Sequence, residues 1–297
     1  MYECFIAIDV GGTNVRIALI DNDLKIINKV QITASSIKDS DDFLHTLKEQ
    51  VEKVKKEFDV KKIGIVLPAP YKKGYTNIVD ITNIPCIENL EYSKIKDVLS
   101  DYKVFFENDV NVIALSESIF GVGKGYKNLI YITFSTGVGS GIIINGKIHN
   151  GINGYAGEIG SILIDSNREN IFEGNFENLC SGNALTLKAK KIFGEDKTSE
   201  YIFRKYQEQD EKAIIIINEW INYVSSGIAN VIHLFDPEII VLGGPLITCN
   251  KWVVDLIYSN TKIKLLGNLS NKIKIETTQF GSDAGLIGAG YYTKMNI

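Results

Sequence analysis

Two glycine-bearing turns carry the first chemical signal in this chain. Asp9-Val10-Gly11-Gly12-Thr13-Asn14-Val15-Arg16 sets a carboxylate near the end of an apolar run and follows it with two glycines and a hydroxyl. Glycines let backbone approach an anion, and successive N–H groups with the Thr13 hydroxyl can bind phosphate oxygens. Asp9, at the strand end, is suited to hold Mg²⁺, directly or through water. Taken alone, the segment reads equally as an ordinary hairpin turn with a surface Asp, because short glycine motifs recur by chance. A second turn, Thr136-Gly137-Val138-Gly139-Ser140-Gly141, follows the apolar run Leu129–Phe134 in the equivalent position. Two such turns facing each other would grip one polyphosphate from both sides, and the pair is far more specific than either member.

Other candidates are weaker by themselves. Asn108-Asp109, after Lys103–Phe106, reads from residue type alone as the cap of the helix that follows. His45, His149 and His233 have no metal-ligand spacing. The four cysteines, Cys4, Cys86, Cys180 and Cys249, form no CxxC pair, which argues against a disulfide framework and a cysteine zinc site.

The elements around these residues follow from periodicity. Cys4–Ile8, Val15–Ile20 and Ile26–Ile32 predict three short strands. A helix capped by Asp39 or Ser40 follows, with Phe43, Leu47, Val51, Val54 and Phe58 on one face. Lys62–Leu67 predicts a strand that Pro68-Ala69-Pro70 ends. Residues 71–92 read as loop and short strand, with Tyr75–Asn83 exposed or lining a site. A helix near Ser93–Ser100 leads to the strand Lys103–Phe106 and a helix from Asn108-Asp109 to Ile119. Leu129–Phe134 and Ile142–Ile144 are strands, and Asn145-Gly146 predicts a type I′ hairpin into Lys147–His149. Helices are expected at 184–193 and 211–235, a strand at Ile239–Leu242, and a last helix Asp283–Tyr292 capped by Ser282.

The strand, glycine turn, strand, polar turn, strand pattern at 4–32 thus recurs at 129–149, a spacing of about 125 residues that suits a duplicated domain rather than a solenoid. At 297 residues the chain accommodates two domains. We expect an N-terminal α/β domain over 1–120 and a larger one over 121–297, with the final helix 283–292 a candidate to pack on the first. Hydrophobic content of 45% with 23% charge fits a globular protein. The net charge of −4 gives no basic footprint for nucleic acid or an anionic membrane. With no apolar run near the ~18 residues a membrane helix needs and no signal-peptide pattern, a cytoplasmic protein is expected.

Taken together, the motifs resemble the ROK sugar kinases. The resemblance rests on Asp9-Val10-Gly11-Gly12-Thr13, Glu107-Asn108-Asp109-Val110-Asn111, Ser135-Thr136-Gly137-Val138-Gly139 and Ala156-Gly157-Glu158-Ile159-Gly160, in the family's order and spacing. Leu242-Gly243-Gly244-Pro245 and Ser282–Ala289 extend it almost to the C-terminus. It implies a two-domain actin/hexokinase-like (ribonuclease H-like) α/β fold with a duplicated ββ-glycine-turn motif, and ATP-dependent phosphorylation of an aldohexose, at O6 as in most relatives. It makes Asp109 the catalytic base. An ordinary carboxylate, with a pKa of ~3.9, is a weak base that mainly orients the hydroxyl and takes its proton late. Asp9, Gly11, Gly12, Thr13, Asn14, Thr136, Gly137 and Gly139 would hold phosphates and Mg²⁺, and Gly243 and Gly244 would lie beneath the adenosine. Asn83, Asn108, Glu158, Ser161 and Glu177 would join Asp109 around the sugar. A homodimer is implied by the family alone.

The departures bear on the substrate. Ser161 stands where many members follow Glu-Ile-Gly with a His that touches sugar and zinc. Arg168–Asn175 lacks the cysteines of their CxCGxxGC zinc loop, so no zinc site is expected there. Pro68-Ala69 replaces the more usual Pro-Gly, as in the allose kinase branch. Glucose, N-acetylmannosamine and allose stay open as substrates. A sugar-responsive repressor is disfavoured because the phosphate motif begins at Asp9, before any DNA-binding helices, and a non-catalytic sugar sensor is disfavoured by Asp109 together with both turns.

Overall fold

The computed structural model describes residues 3–81, 84–168, 170–281 and 283–296. The chain divides into two compact units, residues 1–116, 148–156 and 280–297 in one, and 117–147 and 157–279 in the other.

The first unit is built on a five-stranded sheet. Its elements are β1 (Cys4–Val10), β2 (Asn14–Asp21), β3 (Ile26–Thr33), α1 (Ser40–Lys55), β4 (Val60–Leu67), α2 (Tyr92–Val98) and β5 (Lys103–Asn108), with α3 (Asp109–Phe120) following. The sheet order is β3-β2-β1-β4-β5. β1, β2 and β3 are antiparallel neighbours, whereas β4 runs parallel to both β1 and β5. The parallel strands β1 and β4 are buried almost throughout, and their sequences are correspondingly near-continuous apolar runs. β3, at the edge, alternates half-buried and exposed positions. One face packs on α1, whose Asp39 cap accepts from the Asp42 N–H at 2.8 Å and whose Phe43, Leu47, Val51 and Val54 are buried. The opposite face, through Ala7, Ala18 and Val66, receives Val112 of α3 and Leu286 and Ala289 of the C-terminal helix, Ala284–Met295. The small residues matter here: a Cβ on Gly64 would lie 1.9 Å from the Thr293 hydroxyl oxygen.

Local readings are corrected at two points in this unit, and a third falls partly outside the described residues. Phe58 is not on the α1 face; the helix ends at Lys55, Lys56 turns to φ +52°, and Phe58 is 41% exposed. Within 75–81, Thr76 and Asp80 are exposed but Ile78 and Ile81 are buried, and the Glu88 carboxylate accepts from the Asp80 and Ile81 N–H groups, which lets the loop sink in part into the core. The last helix has Asp283 at its N-terminus, without a side-chain cap bond; Ser282 and Asn83 lie outside the described residues.

The second unit repeats the plan. Its elements are β6 (Leu129–Phe134), β7 (Val138–Ile144), β8 (Lys147–Ile148), α4 (Phe176–Cys180), α5 (Gly182–Phe193), α6 (Ser199–Gln207), α7 (Glu211–Phe235), β9 (Ile239–Gly243), α8 (Pro245–Thr248), α9 (Val253–Lys262) and β10 (Ile275–Thr277). The sheet order is β10-β9-β6-β7-β8, with β6 and β7 antiparallel and β9 parallel to both β6 and β10. Asn145 and Gly146, at φ +53° and +74°, make the type I′ turn their dipeptide predicts. Trp220 of α7 anchors the core: it meets Phe134 and Phe203 edge-on, and its indole N–H donates to the Cys180 carbonyl at 2.9 Å. No helix among the described residues is long and apolar enough to cross a membrane.

Candidate active site

In the first unit, the candidate residues gather at the carboxyl ends of the parallel strands, where α/β sheets commonly bind ligands. Val66 pairs with Asp9 on one side and Glu107 on the other, so these two carboxylates share a row across β1, β4 and β5. Beyond Asp9, the turn is closed by the Gly11 N–H donating to the Asn14 carbonyl at 2.9 Å. Gly12 and Thr13 are exposed, and neither N–H has a partner among the described residues, so the turn presents two free donors. Asn14 opens β2 and accepts from the Gln31 amide at 3.0 Å.

Asp9 is a largely buried carboxylate. Its side chain is only 16% exposed, and its ion pair to Arg16, the one it makes among the described residues, is long at 3.5 Å. Burial pushes its pKa up to about 6; Arg16 pulls it down and Asp283 pushes it up further. The first turn of the C-terminal helix closes on it: a Cβ on Gly285 would lie 2.8 Å from Asp9 Oδ2. Sequence reasoning did not assign Gly285 or Asp283 a role. Gly285 is signalled only by being small where a helix must abut a carboxylate.

Asn108 and Asp109 stand at the junction of β5 and α3. Asn108 Oδ1 accepts from the Val110 and Asn111 N–H groups at 2.9 and 3.1 Å, capping α3, while its amide donates to the Ala69 carbonyl at 3.2 Å. Asp109 Oδ1 accepts from the Val110 N–H at 2.8 Å. The side chain is half-buried, which fixes the carboxylate yet leaves it reachable.

The second unit assembles its candidates at the matching end of β6 and β9. The turn Ser135–Gly137 is braced by α5, whose Gly182 N–H donates to the Ser135 carbonyl at 2.7 Å. Thr136 is exposed, and the Thr136 and Gly137 N–H groups have no partner among the described residues. Gly139, in β7, pairs with Thr133. Gly244 adopts φ +84°, and a Cβ there would come within 2.3 Å of the Phe134 carbonyl oxygen; one on Gly243 would strike the Tyr131 hydroxyl. Both glycines are therefore demanded by close packing against β6 at the turn.

Glu177 has a second partner that its sequence did not suggest. Its Oε2 accepts from the Val138 N–H at 2.9 Å and would lie 2.4 Å from a Cβ on Gly137. It thus buttresses the glycine turn from α4. Gly160 lies against it on the other side. Gly157, at φ +99°, lets its carbonyl accept from the Ser140 hydroxyl at 2.8 Å, and the exposed Glu158 precedes, and the exposed Ser161 ends, the short 3-10 turn Ile159–Ser161.

The loop before Glu177 is tied by polar groups. Asp165 Oδ2 accepts from Arg168 Nε at 3.1 Å and from the Tyr223 hydroxyl at 2.9 Å, and Arg168 donates to Tyr223 at 3.0 Å. Gly174 accepts from the Ile164 and Asp165 N–H groups at 2.9 and 3.0 Å, and Phe176 donates to Ile162 at 2.9 Å. Among the described residues no cluster of three His, Cys, Asp or Glu could hold a metal ion.

Comparison with known proteins agrees with this architecture. The ROK family model matches residues 5–295. The N-acetylgalactosamine kinase of Shewanella sp. is 29% identical over 297 residues, covering 96% of this chain and 95% of that one. The solved ROK hexokinase of Thermus thermophilus superposes with a TM-score of 0.84 at 25% identity, over 98% of both chains. The family also contains regulators: the xylose repressor of Bacillus subtilis is 28% identical over 188 residues, 62% of this chain and 49% of its own.

Proposed function

Because the chain belongs to the ROK family and has its actin/hexokinase-like fold, we propose that it is an ATP-dependent sugar kinase that phosphorylates an aldohexose at O6. The observation that carries this reading is the repeated strand–turn–strand with free turn amides, present once in each sheet, in a chain that also has a half-buried aspartate opening α3. Free N–H donors at a glycine turn suit phosphate oxygens. In this reading Gly11, Gly12, Thr13 and Asn14, with Thr136, Gly137 and Gly139, hold the phosphates of ATP, and Gly243 and Gly244 leave room for the base. Asp9, largely desolvated and held to Arg16 only by a long 3.5 Å ion pair, fits a Mg²⁺ ligand acting directly or through water. When bound, Mg²⁺ supplies charge neutralisation for the phosphates.

Asp109 then takes the proton of the attacking hydroxyl, while Asn108, Glu158 and Ser161 select the sugar. Glu177, with one oxygen committed to Val138, keeps the other for a hydroxyl. Purified protein with Mg²⁺·ATP is expected to release ADP only when a hexose from a panel of hexoses and N-acetylhexosamines is added. The panel names the substrate, and sugar-independent hydrolysis at the same rate would instead mean an ATPase. The second reading, an N-acetylhexosamine kinase, is favoured by the Shewanella relative and by Ser161, whose small side chain leaves room near the sugar's O1 and O2. Turnover of glucose with sharp rejection of its 2-acetamido analogues would exclude that version. Failure of every sugar, with sugar-dependent thermal stabilisation retained, would point to a sensor.

We also propose that the 162–176 loop is held without zinc, by Asp165, Arg168 and Tyr223. Metal analysis should find well under one zinc per chain, and a chelator should leave the melting temperature unchanged. Tyr223→Phe removes the hydroxyl that donates to Asp165 and accepts from Arg168. A loss of about 1 kcal/mol, and hence about 2–4 °C in melting temperature, is expected. Stoichiometric zinc, or unfolding by the chelator, would refute this.

A further inference from the structure

Glu107 is a buried carboxylate beside the candidate base, and the reaction outlined above does not use it. It is 3% exposed and lies in β5, immediately before Asn108. Its Oε1 accepts from the Asn108 N–H at 2.9 Å, the Asn111 amide at 3.1 Å and the Asn150 amide at 3.1 Å; its Oε2 accepts from the same Asn150 amide at 3.0 Å. The Tyr292 hydroxyl of the C-terminal helix also bonds to it. Amide and backbone partners here are all donors, so the site is shaped for an acceptor at both oxygens. Asn111 reinforces this: it turns its amide nitrogen to Glu107 although its own Oδ1 is then buried without a partner among the described residues. Leaving a buried acceptor unsatisfied is costly, so the orientation is imposed by the carboxylate.

The partners on either side are parts of the first unit that have little else in common. Asn108 and Asn111 form the start of α3, where Asp109 projects. Asn150 belongs to the segment 148–156, whose outer side is tied down by Lys72 to the Ile152 carbonyl, Tyr75 to the Asn153 carbonyl and Tyr155 to Asp80. Gly154 packs so tightly there that a Cβ would come within 2.7 Å of the Tyr71 carbonyl oxygen. Glu107 is the inner anchor of that segment and the lateral support of the Asn108 peptide at once.

We propose that Glu107 is a positioning residue for phosphoryl transfer, fixing the Asn108–Asp109 peptide and the 148–156 segment against each other through Asn150. The inference rests on the kinase reading. Desolvation raises the pKa of this carboxylate while its donors lower it, so the hydrogen bonds are what make burial tolerable. Small misplacements at a reacting pair are expensive in rate, which is how a residue that touches no substrate acquires a kinetic effect.

The test uses the full chain with three variants. Glu107→Gln sets its NH₂ group against the donating Asn150 amide; kcat is expected to fall about 10- to 100-fold, with KM for ATP changed less than about 2-fold. Asn150→Ala, milder for folding, should lower kcat by about 5- to 10-fold. In Glu107→Gln/Asn150→Asp the glutamine oxygen can still accept from Asn108 and Asn111 while its nitrogen donates to the new carboxylate, so kcat should recover about tenfold over Glu107→Gln. Amide exchange measured without ligands should speed up at 108–112 and 148–156 in both single variants, and not in β6 and β7. Should Glu107→Gln fail to fold, Asn150→Ala tests the same bond from its other end. Wild-type kcat in a folded single variant beside an active wild type overturns this inference alone, even if exchange changes, because the role is then purely structural. No turnover in the wild-type protein with any sugar overturns the kinase reading and this inference together.

Discussion

Asp109→Asn should abolish sugar-dependent ADP release, with kcat reduced about a thousandfold or more, while the protein keeps its fold. The two halves of the expectation have separate grounds. Proton acceptance by a placed side chain contributes roughly 10²–10⁴-fold to rate, and an amide cannot accept the proton of the attacking hydroxyl. Stability should hardly move, because the carboxylate is not what starts α3. Asn108 Oδ1 already accepts from the Val110 and Asn111 N–H groups, and the Asp109 Oδ1 bond to Val110 duplicates one of these at similar length. An amide oxygen can replace that bond, and the lost charge at a helix start costs about 0.3–1 kcal/mol. Sugar and ATP KM values should change by less than about 3-fold, since in the proposed mechanism the proton that Asp109 accepts moves only in the transition state. Steady-state kinetics with a thermal melt decides the matter. A variant retaining a tenth of wild-type kcat would move the base elsewhere, and one that fails to fold would make Asp109 a cap after all.

The same junction shows what a sequence discloses and what it withholds. The glycine turns were legible because a tight strand-to-strand turn has few solutions: Gly11-Gly12 and Gly137-Gly139 follow apolar runs, and the runs proved to be β1 and β6. The Asn145-Gly146 hairpin was legible for the same local reason, a positive φ at both positions. Glu107 was not. It appears in the Glu107-Asn108-Asp109 motif, but its burial is explained by Asn150, 43 residues on, and Tyr292 near the C-terminus. The sequence likewise offers Glu177 as a sugar ligand but not its bond to the Val138 N–H, which the fold supplies across 39 residues. The cysteine-free loop announced what it lacks, yet its replacement depends on Tyr223 in α7, outside the loop. Local chemistry is written locally, whereas a buried polar group is explained by partners that only the fold collects.

Asp9→Asn should eliminate activity and yet raise the melting temperature of the ligand-free protein. Folded, the Asp9 carboxyl has a pKa of about 6 against an ordinary value of 3.8, chiefly because it is desolvated. The unfolded chain is therefore the better home for its charge, so ionisation opposes folding at neutral pH. Below pH 3.8 the carboxyl is protonated in both states and the penalty is absent. It grows between pH 3.8 and about 6 and is complete above that. The uncharged amide escapes it, for a gain of order 1–3 kcal/mol and about 5 °C at pH 7.5 in the presence of a chelator. Arg16 loses its 3.5 Å partner in the variant, but that attraction is already counted in the shifted value. Melts from pH 4 to pH 8 should show the two proteins converging at the acid end. With Mg²⁺·ATP added, the wild-type protein should be stabilised by several degrees and the variant by much less, because the cation stabilises the charge that burial penalises. On the proposed reading such a group would be kept at a cost to stability for the cation it binds, a trade common at active sites. If Asp9→Asn instead lowered the melting temperature at pH 7.5 and left the Mg²⁺·ATP shift intact, Asp9 would be a structural partner of Arg16, and the metal would need another ligand.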